Sequence, residues 1–363
     1  MTQSTAQTPL RVLGTMSGTS VDGIDLAILE TDGETVSRIG PHGTFAYRPE
    51  EQQAIRAAFG RVDPGEAAVH AVTEAHGRAI ADFLGSARLT AADIDLIGFH
   101  GQTTFHDPKA GVTVQAGDAE ALSRRFGVPV VADFRKADVA AGGEGAPLAP
   151  LFHVAMTAGL ERPLAVLNLG GVGNVTWIGA GEAPPVAFDT GPANALVDDW
   201  MRLRTGQSHD AGGAAALAGT VDRAWLRDLM QHPYFARPVP KSLDREAFRP
   251  AAWPDLPVED GAATLVAFTA AAVAAAVPHL PAAPLRWLVT GGGRHNPAIM
   301  AALSEVLGVP VQPVEAAGWD GDAVEAQAFA WLAARSVRGL PLSLPTTTGV
   351  PRPMPGGRLV RAA

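Results

Sequence analysis

The chain has 363 residues, and its 28 lysines and arginines against 37 aspartates and glutamates give a net charge of −9 at pH 7 with histidine neutral. With 47% hydrophobic and 18% charged residues, it can bury a sizeable core, its length is typical of about two domains, and disorder throughout is excluded. The lack of cysteine excludes disulfides and thiolate sites, and three lysines without a basic run offer no stripe for a nucleic-acid backbone.

The N-terminal segment MTQSTAQTPLRVLG has neither a basic start nor a long apolar stretch, so it is not typical of a secretory signal. The most continuous apolar run, residues 262–277, ends at Pro278 and is shorter than the ~20 residues of a membrane span. It predicts a buried helix. We therefore expect a cytoplasmic protein without a membrane or nucleic-acid partner, and the sequence leaves a homodimer open.

Short elements separated by glycine and proline follow one another along the chain. Runs of β type predict strands at 11–13, 26–29, 94–99, 128–132, 164–169, 175–178 and 285–290. Helical patterns are clearest at 66–86, 116–126, 194–204, 221–231, 264–277, 297–307 and 322–337. This mixture predicts an α/β fold. A strand, glycine-rich turn and strand occur twice, at 11–29 and 164–178, which suggests two duplicated lobes that face one cleft.

The first of these turns, GTMSGTSVDGID, occupies residues 14–25. Glycine lets the backbone approach a ligand closely, and hydroxyls with main-chain amides can cradle phosphate oxygens. The acids in the turn would repel bare phosphate but suit phosphate that arrives with Mg²⁺. The candidate residues are Gly18, Thr19, Ser20, Asp22, Gly23 and Asp25, of which Asp25 is also the candidate metal ligand. An ordinary hairpin loop is the alternative.

Two more glycine-rich loops follow. The second turn, NLGGVGNV, offers another nest of amides through Asn168, Gly170, Gly171 and Asn174. In the third, a β run ends in Gly291, Gly292 and Gly293, with Asn296 placed as N-cap and Pro297 as the first helical residue. That loop can dock a nucleoside, or it is only a tight packing turn. No Gly-Lys-Ser/Thr occurs, so bound ATP would be held without a Walker lysine.

Several polar side chains lie where apolar runs end. Asp189, in FDTGPAN, is a candidate general base or a helix cap. His100 and Gln102, in FHGQT, could contact a sugar hydroxyl or satisfy the loop backbone. The segment ADFRKAD carries Asp133 and Arg135, and Arg135 suits a substrate carboxylate or a structural ion pair.

Glu325 lies three residues after Asp322 in a pattern typical of a capping box, so it is a candidate substrate contact or only part of a helix cap. Serine-hydrolase and zinc motifs are poorly supported, since neither Gly-X-Ser-X-Gly nor His-Glu-X-X-His occurs.

Together, MSGTSVDGID, GFHGQT, VVADFRKADVAAGGEGAPL, LNLGGVGNV, FDTGPAN, GGGRHNPAIM and EAQAFAWLA resemble the anhydro-N-acetylmuramic acid kinase family, in that family's order and over nearly the whole chain. The resemblance implies two ribonuclease-H-like lobes of the actin/hexokinase-like kinase fold around a central cleft. The implied first lobe is 1–155, completed by about 322–363, and the second is 156–321. The implied reaction uses ATP, Mg²⁺ and water to convert 1,6-anhydro-N-acetylmuramic acid into N-acetylmuramic acid 6-phosphate.

The resemblance also assigns roles to residues. It implies that Asp189 is the base, that 18–25 and 168–174 are the phosphate loops, and that 291–296 is the nucleoside loop. It leaves the role of Lys241 and its neighbours open, because the family often has KSTGRE where this chain has KSLDRE. The alternatives are another actin-like sugar kinase that acts on a free hydroxyl, and a non-enzymatic ATP-binding assembly protein with the same lobes.

Overall fold

The structure, a computed structural model, describes residues 8–361, with residues 245 and 246 described by their backbone alone. The described residues form two compact units. The first comprises 8–159 and 323–361, and the second is Leu160–Asp322. The expected domain ends at residues 1 and 363 lie outside the described residues.

Strands and helices are mixed along both units. The strands are β1 (Leu10–Met16), β2 (Gly23–Thr31), β3 (Val36–Ala46), β4 (Leu96–Phe99), β5 (Gln102–Asp107), β6 (Val112–Ala116), β7 (Val130–Ala132), β8 (Leu164–Leu169), β9 (Val172–Ile178), β10 (Val186–Pro192), β11 (Trp287–Thr290), β12 (Val311–Pro313) and β13 (Arg358–Val360). The α-helices are α1 (Pro49–Arg56), α2 (Glu66–Ser86), α3 (Ala119–Phe126), α4 (Lys136–Ala140), α5 (Pro150–Met156), α6 (Asn194–Thr205), α7 (Ala214–Ala218), α8 (Arg223–Met230), α9 (Val258–Ala276), α10 (Pro297–Leu307), α11 (Val324–Val337) and α12 (Pro345–Thr348). The predicted α/β class is confirmed.

Both units contain the same five-stranded sheet topology, to which the first unit adds β13, antiparallel to β7. In the first, the order is β13-β7-β4-β1-β2-β3, and in the second it is β10-β9-β8-β11-β12. Each has three consecutive antiparallel strands, extended by two parallel strands on the side of its first strand. This is the ribonuclease-H-like arrangement, so the expectation of two such lobes is confirmed. Strands β5 and β6 form a separate ribbon in the first unit.

Glycine allows α11 to lie directly on the first sheet. Gly14 of β1 and Gly98 of β4 are paired across the sheet. A Cβ at Gly14 would collide with the carbonyl of Ala326, and one at Gly98 with the carbonyl of Phe329. The helix can approach this closely only because both strand positions lack a side chain. The opposite face of the sheet carries α2, which buries Val72, Ile80 and Phe83.

The apolar run at 262–277 belongs to α9, the central helix of the second unit. The helical stretch Val258–His279 is long and apolar enough to cross a membrane, but 67% of its most apolar 18-residue window is buried within the fold. Phe268 of α9 packs in the same core as Trp200 of α6. The sequence interpretation of a buried helix is confirmed. The helix begins at Val258, six residues before the predicted start at 264, because Glu259 and Asp260 interrupt the apolar pattern in its first turn.

Candidate active site

A row of polar side chains crosses the second sheet. The strand register pairs Asp189 of β10 with Asn174 of β9, Asn174 with Asn168 of β8, and Asn168 with Thr290 of β11. Residues paired across neighbouring strands project from the same face of a sheet. Asp189, Asn174, Asn168 and Thr290, here called the polar row, therefore share one face, although each strand is otherwise largely apolar.

Asp189 lies inside β10 and is held by main-chain contacts on each side. Its Oδ2 accepts a hydrogen bond from the amide of Leu243 at 2.7 Å, and the side chain is largely buried. Its own amide donates to the carbonyl of Lys241 at 2.9 Å, and its carbonyl accepts from the Tyr234 hydroxyl at 2.6 Å. Because α6 begins only at Asn194, the alternative that Asp189 caps that helix is wrong.

The second glycine-rich turn joins β8 to β9 and is tied to the start of α6. The carbonyl of Gly170 accepts from the amide of Asn194 at 2.9 Å, and the carbonyl of Gly171 accepts from the amide of Ala193 at 3.0 Å. The Asn194 side chain donates to the carbonyl of Leu169 at 2.8 Å. A Cβ added at Gly170 would lie 3.7 Å from the carbonyl oxygen of Val172, an ordinary contact. The turn is therefore fixed by its carbonyls and leaves room beside Gly170.

The third loop has two packing glycines and one with space beside it. A Cβ at Gly291, whose φ is +76°, would collide with the Asn168 side chain, and one at Gly293 would lie 2.6 Å from Leu169 Cβ. At Gly292 the same atom would lie 3.6 Å from Asn194 Nδ2. The packing-turn interpretation thus explains Gly291 and Gly293, and Gly292 is the position that a ligand could approach. Asn296 caps α10 as predicted, with its side chain accepting from Ala298 and Ile299 amides.

Arg294 fastens this loop to the end of the second unit. Its buried guanidinium pairs with Glu315 at 2.8 Å and Asp322 at 2.9 Å, and it donates to the carbonyl of Gly291 at 3.1 Å. The hydrogen bond from Arg294 lowers the pKa of Asp322. The predicted cap role of Asp322 is wrong, because α11 starts at Val324 and Asp322 is engaged with Arg294. Glu325 lies in the first turn of α11.

In the first unit, Gln102 supports the first glycine-rich turn. Its Oε1 accepts from the Ser17 hydroxyl at 2.6 Å, and its Nε2 donates to the carbonyl of Gly18 at 3.1 Å. The Tyr47 hydroxyl donates to Ser17 Oγ at 2.8 Å, so the three side chains form a buried chain. The structure supports the alternative in which Gln102 satisfies the loop. Tyr47 was missed, since nothing in the sequence around it marks a partner 30 residues away.

The same turn contains a strained residue that sequence analysis missed. Val21 is buried and has a φ of +55°, in the left-handed region that a β-branched residue rarely adopts. Its carbonyl accepts from Gln52 Nε2 at 2.9 Å, and the Ser20 carbonyl accepts from Arg56 at 2.7 Å. Both donors come from α1. Such strain persists where surrounding contacts hold it, and it concentrates at ligand-binding loops.

The other predicted residues of this turn differ in what surrounds them. A Cβ at Gly18 would lie 3.5 Å from Ser20 Oγ, whereas one at Gly23 would lie 2.8 Å from Thr44 Cγ2. Gly18 therefore has space and Gly23 is a packing glycine. The carboxylate of Asp25 accepts from the Thr44 hydroxyl at 2.6 Å, and that of Asp22 accepts from Ser20 at 2.7 Å. Thr19 is exposed in the turn.

Arg135 is held by His100. The guanidinium Nε donates to His100 Nε2 at 3.1 Å, and Nη1 donates to the carbonyl of Gly145 at 2.7 Å. His100 Nδ1 lies 2.8 Å from the carbonyl of Gly101, which can only accept, so Nδ1 carries the proton and Nε2 is the acceptor. The imidazole is therefore neutral. The structure thus favours the alternative in which His100 holds the loop backbone and Arg135 over the one in which it contacts a sugar hydroxyl.

Asp133, two residues before Arg135, takes part in ion pairs. Its carboxylate is 2.8 Å from Lys136 Nζ and 2.8 Å from Arg358 Nε. Its backbone has a φ of +59°, which aspartate tolerates better than most residues. These contacts favour the structural alternative for Asp133.

Three buried histidines of the first unit predict that it loses stability in mild acid. Burial lowers the pKa of His76 to about 4 and of His153 to about 3, and burial with the Arg135 charge lowers the pKa of His100 well below its ordinary value. In the unfolded chain these groups titrate near 6.5, so the unfolded state binds more protons below that pH. Their contribution to the free energy of unfolding is complete above pH ~6.5. It falls toward pH 4, by up to about 1.4 kcal/mol per histidine and pH unit.

Urea unfolding followed from pH 7.5 to 4.5 measures this slope. His76→Phe, which keeps an aromatic ring beside Phe99 and removes the titrating group, should flatten it. Equal stability at pH 7 and pH 5 in the parent would contradict the prediction.

A family model described as anhydro-N-acetylmuramic acid kinase matches residues 10–361. A relative of that name from Rhodospirillum rubrum is 57% identical over 357 residues, which cover 97% of this chain and 94% of the relative. Another of that name, from Paramagnetospirillum magneticum, is 53% identical over 349 residues, which cover 95% of this chain and 98% of the relative.

Proposed function

Because the chain belongs to the anhydro-N-acetylmuramic acid kinase family, we propose that it uses ATP and water to convert 1,6-anhydro-N-acetylmuramic acid into N-acetylmuramic acid 6-phosphate. The observation that carries the proposal is the polar row, which sets a buried, firmly held carboxylate on the same sheet face as the ends of two glycine-rich loops. Phosphoryl transfer depends chiefly on positioning and charge stabilisation, which such loops supply.

The reaction combines two events. An oxygen of water bonds to the anomeric carbon while the bond from that carbon to the bridging 6-oxygen breaks. The released 6-oxygen bonds to the γ-phosphorus of ATP, and ADP leaves. Water is the nucleophile, because the anhydro sugar has no free 6-hydroxyl. One proton of the water must be removed as its oxygen bonds to the anomeric carbon. The carboxylate of Asp189 takes that proton.

We assign ATP to the phosphate loops and the nucleoside loop. We assign its phosphates to Gly18 with its neighbours in the first unit, and to Gly170, Gly171, Asn168 and Asn174 in the second. We assign the nucleoside to the loop at Gly292. These assignments rest on the space beside Gly18, Gly170 and Gly292. The packed glycines of the same loops, Gly14, Gly23, Gly173, Gly291 and Gly293, lack such space.

Mg²⁺ would fit this site if the phosphate oxygens of ATP supplied most of its ligands. Among the side chains that the structure describes, no group of three or more His, Cys, Asp or Glu could hold a metal. Mg²⁺ is commonly bound through one or two carboxylates and substrate phosphates. Asp25, oriented by the Thr44 hydroxyl, is the carboxylate that we assign to it. When bound, the ion neutralises charge on the phosphates.

A cytoplasmic location is also proposed, since the cysteine-free chain suits a reducing compartment.

Arg135→Lys should raise KM for the anhydro sugar about 10- to 100-fold, with kcat less affected, because we assign Arg135 to the lactyl carboxylate. The guanidinium carries five N–H donors, and it donates to His100 and to the carbonyl of Gly145. A lysine ammonium cannot keep both contacts and also form a two-pronged pair with a carboxylate. Steady-state kinetics measure the change.

A matched control is Arg358→Lys, at an arginine whose exposed side chain pairs with Glu120 and Asp133. It should leave KM unchanged. The assignment fails if the parent enzyme uses 1,6-anhydro-N-acetylglucosamine, which lacks the lactyl group, as well as the muramic substrate.

The reaction itself is tested with purified protein, Mg-ATP and the anhydro sugar in oxygen-18 water, followed by mass spectrometry. The expected product is phosphorylated and carries one heavy oxygen at the anomeric position, with none in the phosphate. N-acetylmuramic acid 6-phosphate kept in the same water measures exchange without catalysis. Phosphorylation of the open sugar alone would identify a kinase that acts on a free hydroxyl. ATP turnover that does not depend on sugar would favour an assembly protein.

A further inference from the structure

We propose that Tyr234 and Lys241 are positioning residues for Asp189, which they hold by its main chain so that the carboxylate keeps one orientation toward the attacking water. This inference rests on the proposed role of Asp189 as the base. It also gives a role to Lys241, whose role the sequence left open.

The need for such residues follows from the position of β10 at the edge of the second sheet. An edge strand presents main-chain amides and carbonyls on its outer side, and buried groups of this kind must find partners. The amide of Asp189 donates to the carbonyl of Lys241, and its carbonyl accepts from the hydroxyl of Tyr234. Both partners lie outside the strands of the sheet. The ladder to β9 is also irregular here, with a register shift between Asp189 and Gly191. Regular sheet pairing therefore does not fix Asp189 on its own.

Tyr234 and Lys241 also bind each other, which closes a triangle with Asp189. The Tyr234 hydroxyl donates to the Asp189 carbonyl at 2.6 Å, and the Lys241 carbonyl accepts from the Asp189 amide at 2.9 Å. The Lys241 ammonium donates to the Tyr234 carbonyl at 3.2 Å and lies 4.6 Å from the centre of its ring. Tyr234 is 2% exposed and Lys241 is 3% exposed.

The triangle continues directly into the contact on the carboxylate. Leu243, whose amide donates to Asp189 Oδ2 at 2.7 Å, lies two residues after Lys241. Anchoring Lys241 therefore also places the Leu243 amide. A small displacement of a catalytic group, about 1 Å, can cost about 10² in rate. Loss of either anchor should thus lower the rate of proton removal rather than the affinity for either substrate.

The test uses Tyr234→Phe, which removes only the hydroxyl. We expect kcat to fall about 10- to 100-fold, while KM for ATP and for the anhydro sugar stays within two-fold. The solvent deuterium isotope effect on kcat should rise, because removal of the water proton becomes slower. In an Asp189→Asn background, Tyr234→Phe should cause no further loss, since it acts through the carboxylate that is already gone.

Ser123→Ala is the matched control, because it also removes a buried hydroxyl that donates to a main-chain carbonyl, that of Val128 at 2.9 Å. It should leave kcat and the isotope effect unchanged. If Tyr234→Phe fails to fold, Lys241→Met is measured instead, with Lys241→Arg expected to restore part of the rate.

Two results would overturn the proposal. One is a rise in KM that accounts for the whole loss, and the other is an equal loss from Tyr234→Phe with and without Asp189→Asn. Either leaves the proposed reaction intact. Nearly full activity of Asp189→Asn alone would instead remove the base assignment on which the inference rests.

Discussion

Asp189→Asn is expected to lower kcat by about 10² to 10⁴, the range that a positioned general base contributes, with affinities for ATP and sugar within a few-fold of the parent. Asparagine is nearly isosteric and keeps an oxygen that can accept from the Leu243 amide, so the fold around β10 should survive. Only the basicity toward water is removed. Pre-steady-state and steady-state kinetics with calorimetric binding separate the two effects.

Asp210→Asn is the matched control for this substitution. Asp210 is another buried aspartate of the second unit, and its carboxylate accepts from the amides of Ala215 and Ala216 at 2.9 and 3.1 Å. It should affect stability and leave kcat near the parent value. Glu325→Gln belongs in the same series, because a base shared with Glu325 would blunt the effect. If Asp189→Asn keeps more than about a tenth of kcat, the base lies elsewhere.

Gly18→Val and Gly170→Val are each expected to abolish measurable ATP turnover in a protein that still folds. An added Cβ at either position meets only ordinary contacts, with Ser20 Oγ at 3.5 Å or the Val172 carbonyl at 3.7 Å, and neither glycine has the positive φ that disfavours a side chain. In the proposed complex, the same space holds phosphate oxygens close to main-chain amides. Calorimetry should show loss of ATP binding, and circular dichroism an unchanged fold.

Two further glycines calibrate these variants. Gly85→Val, where an added Cβ has open space around it, should keep ATP affinity. Gly291→Val, where the Cβ would collide with the Asn168 side chain and the Leu169 carbonyl, should lose stability as well as binding. Unchanged ATP affinity in both Gly18→Val and Gly170→Val would mean that the two turns are simple hairpins.

Contacts outside a local sequence pattern decide the role of several residues in this protein. The spacing of Asp322 and Glu325 is typical of a capping box, but Arg294 draws Asp322 into an ion pair before the helix begins. Asp189 precedes a helix in sequence, yet it is a strand residue whose carboxylate accepts from the Leu243 amide. Capping patterns report what a segment can do locally, and a stronger partner elsewhere overrides them.

The sequence by itself determined the features that depend on neighbouring residues. These include the helices at 66–86 and 297–307, the strand at 164–169, the Asn296 cap, the glycine-rich turns and the buried apolar helix α9, except for its first turn. Hydrophobic periodicity and turn chemistry act over a few residues, so they are visible without a fold. The tertiary structure alone decided that Asp189, Asn174, Asn168 and Thr290 form one row, because strand register depends on pairing across the sheet. It also decided that Tyr234, 45 residues after Asp189, closes on the edge of β10, since an edge strand takes its partners from wherever the chain returns.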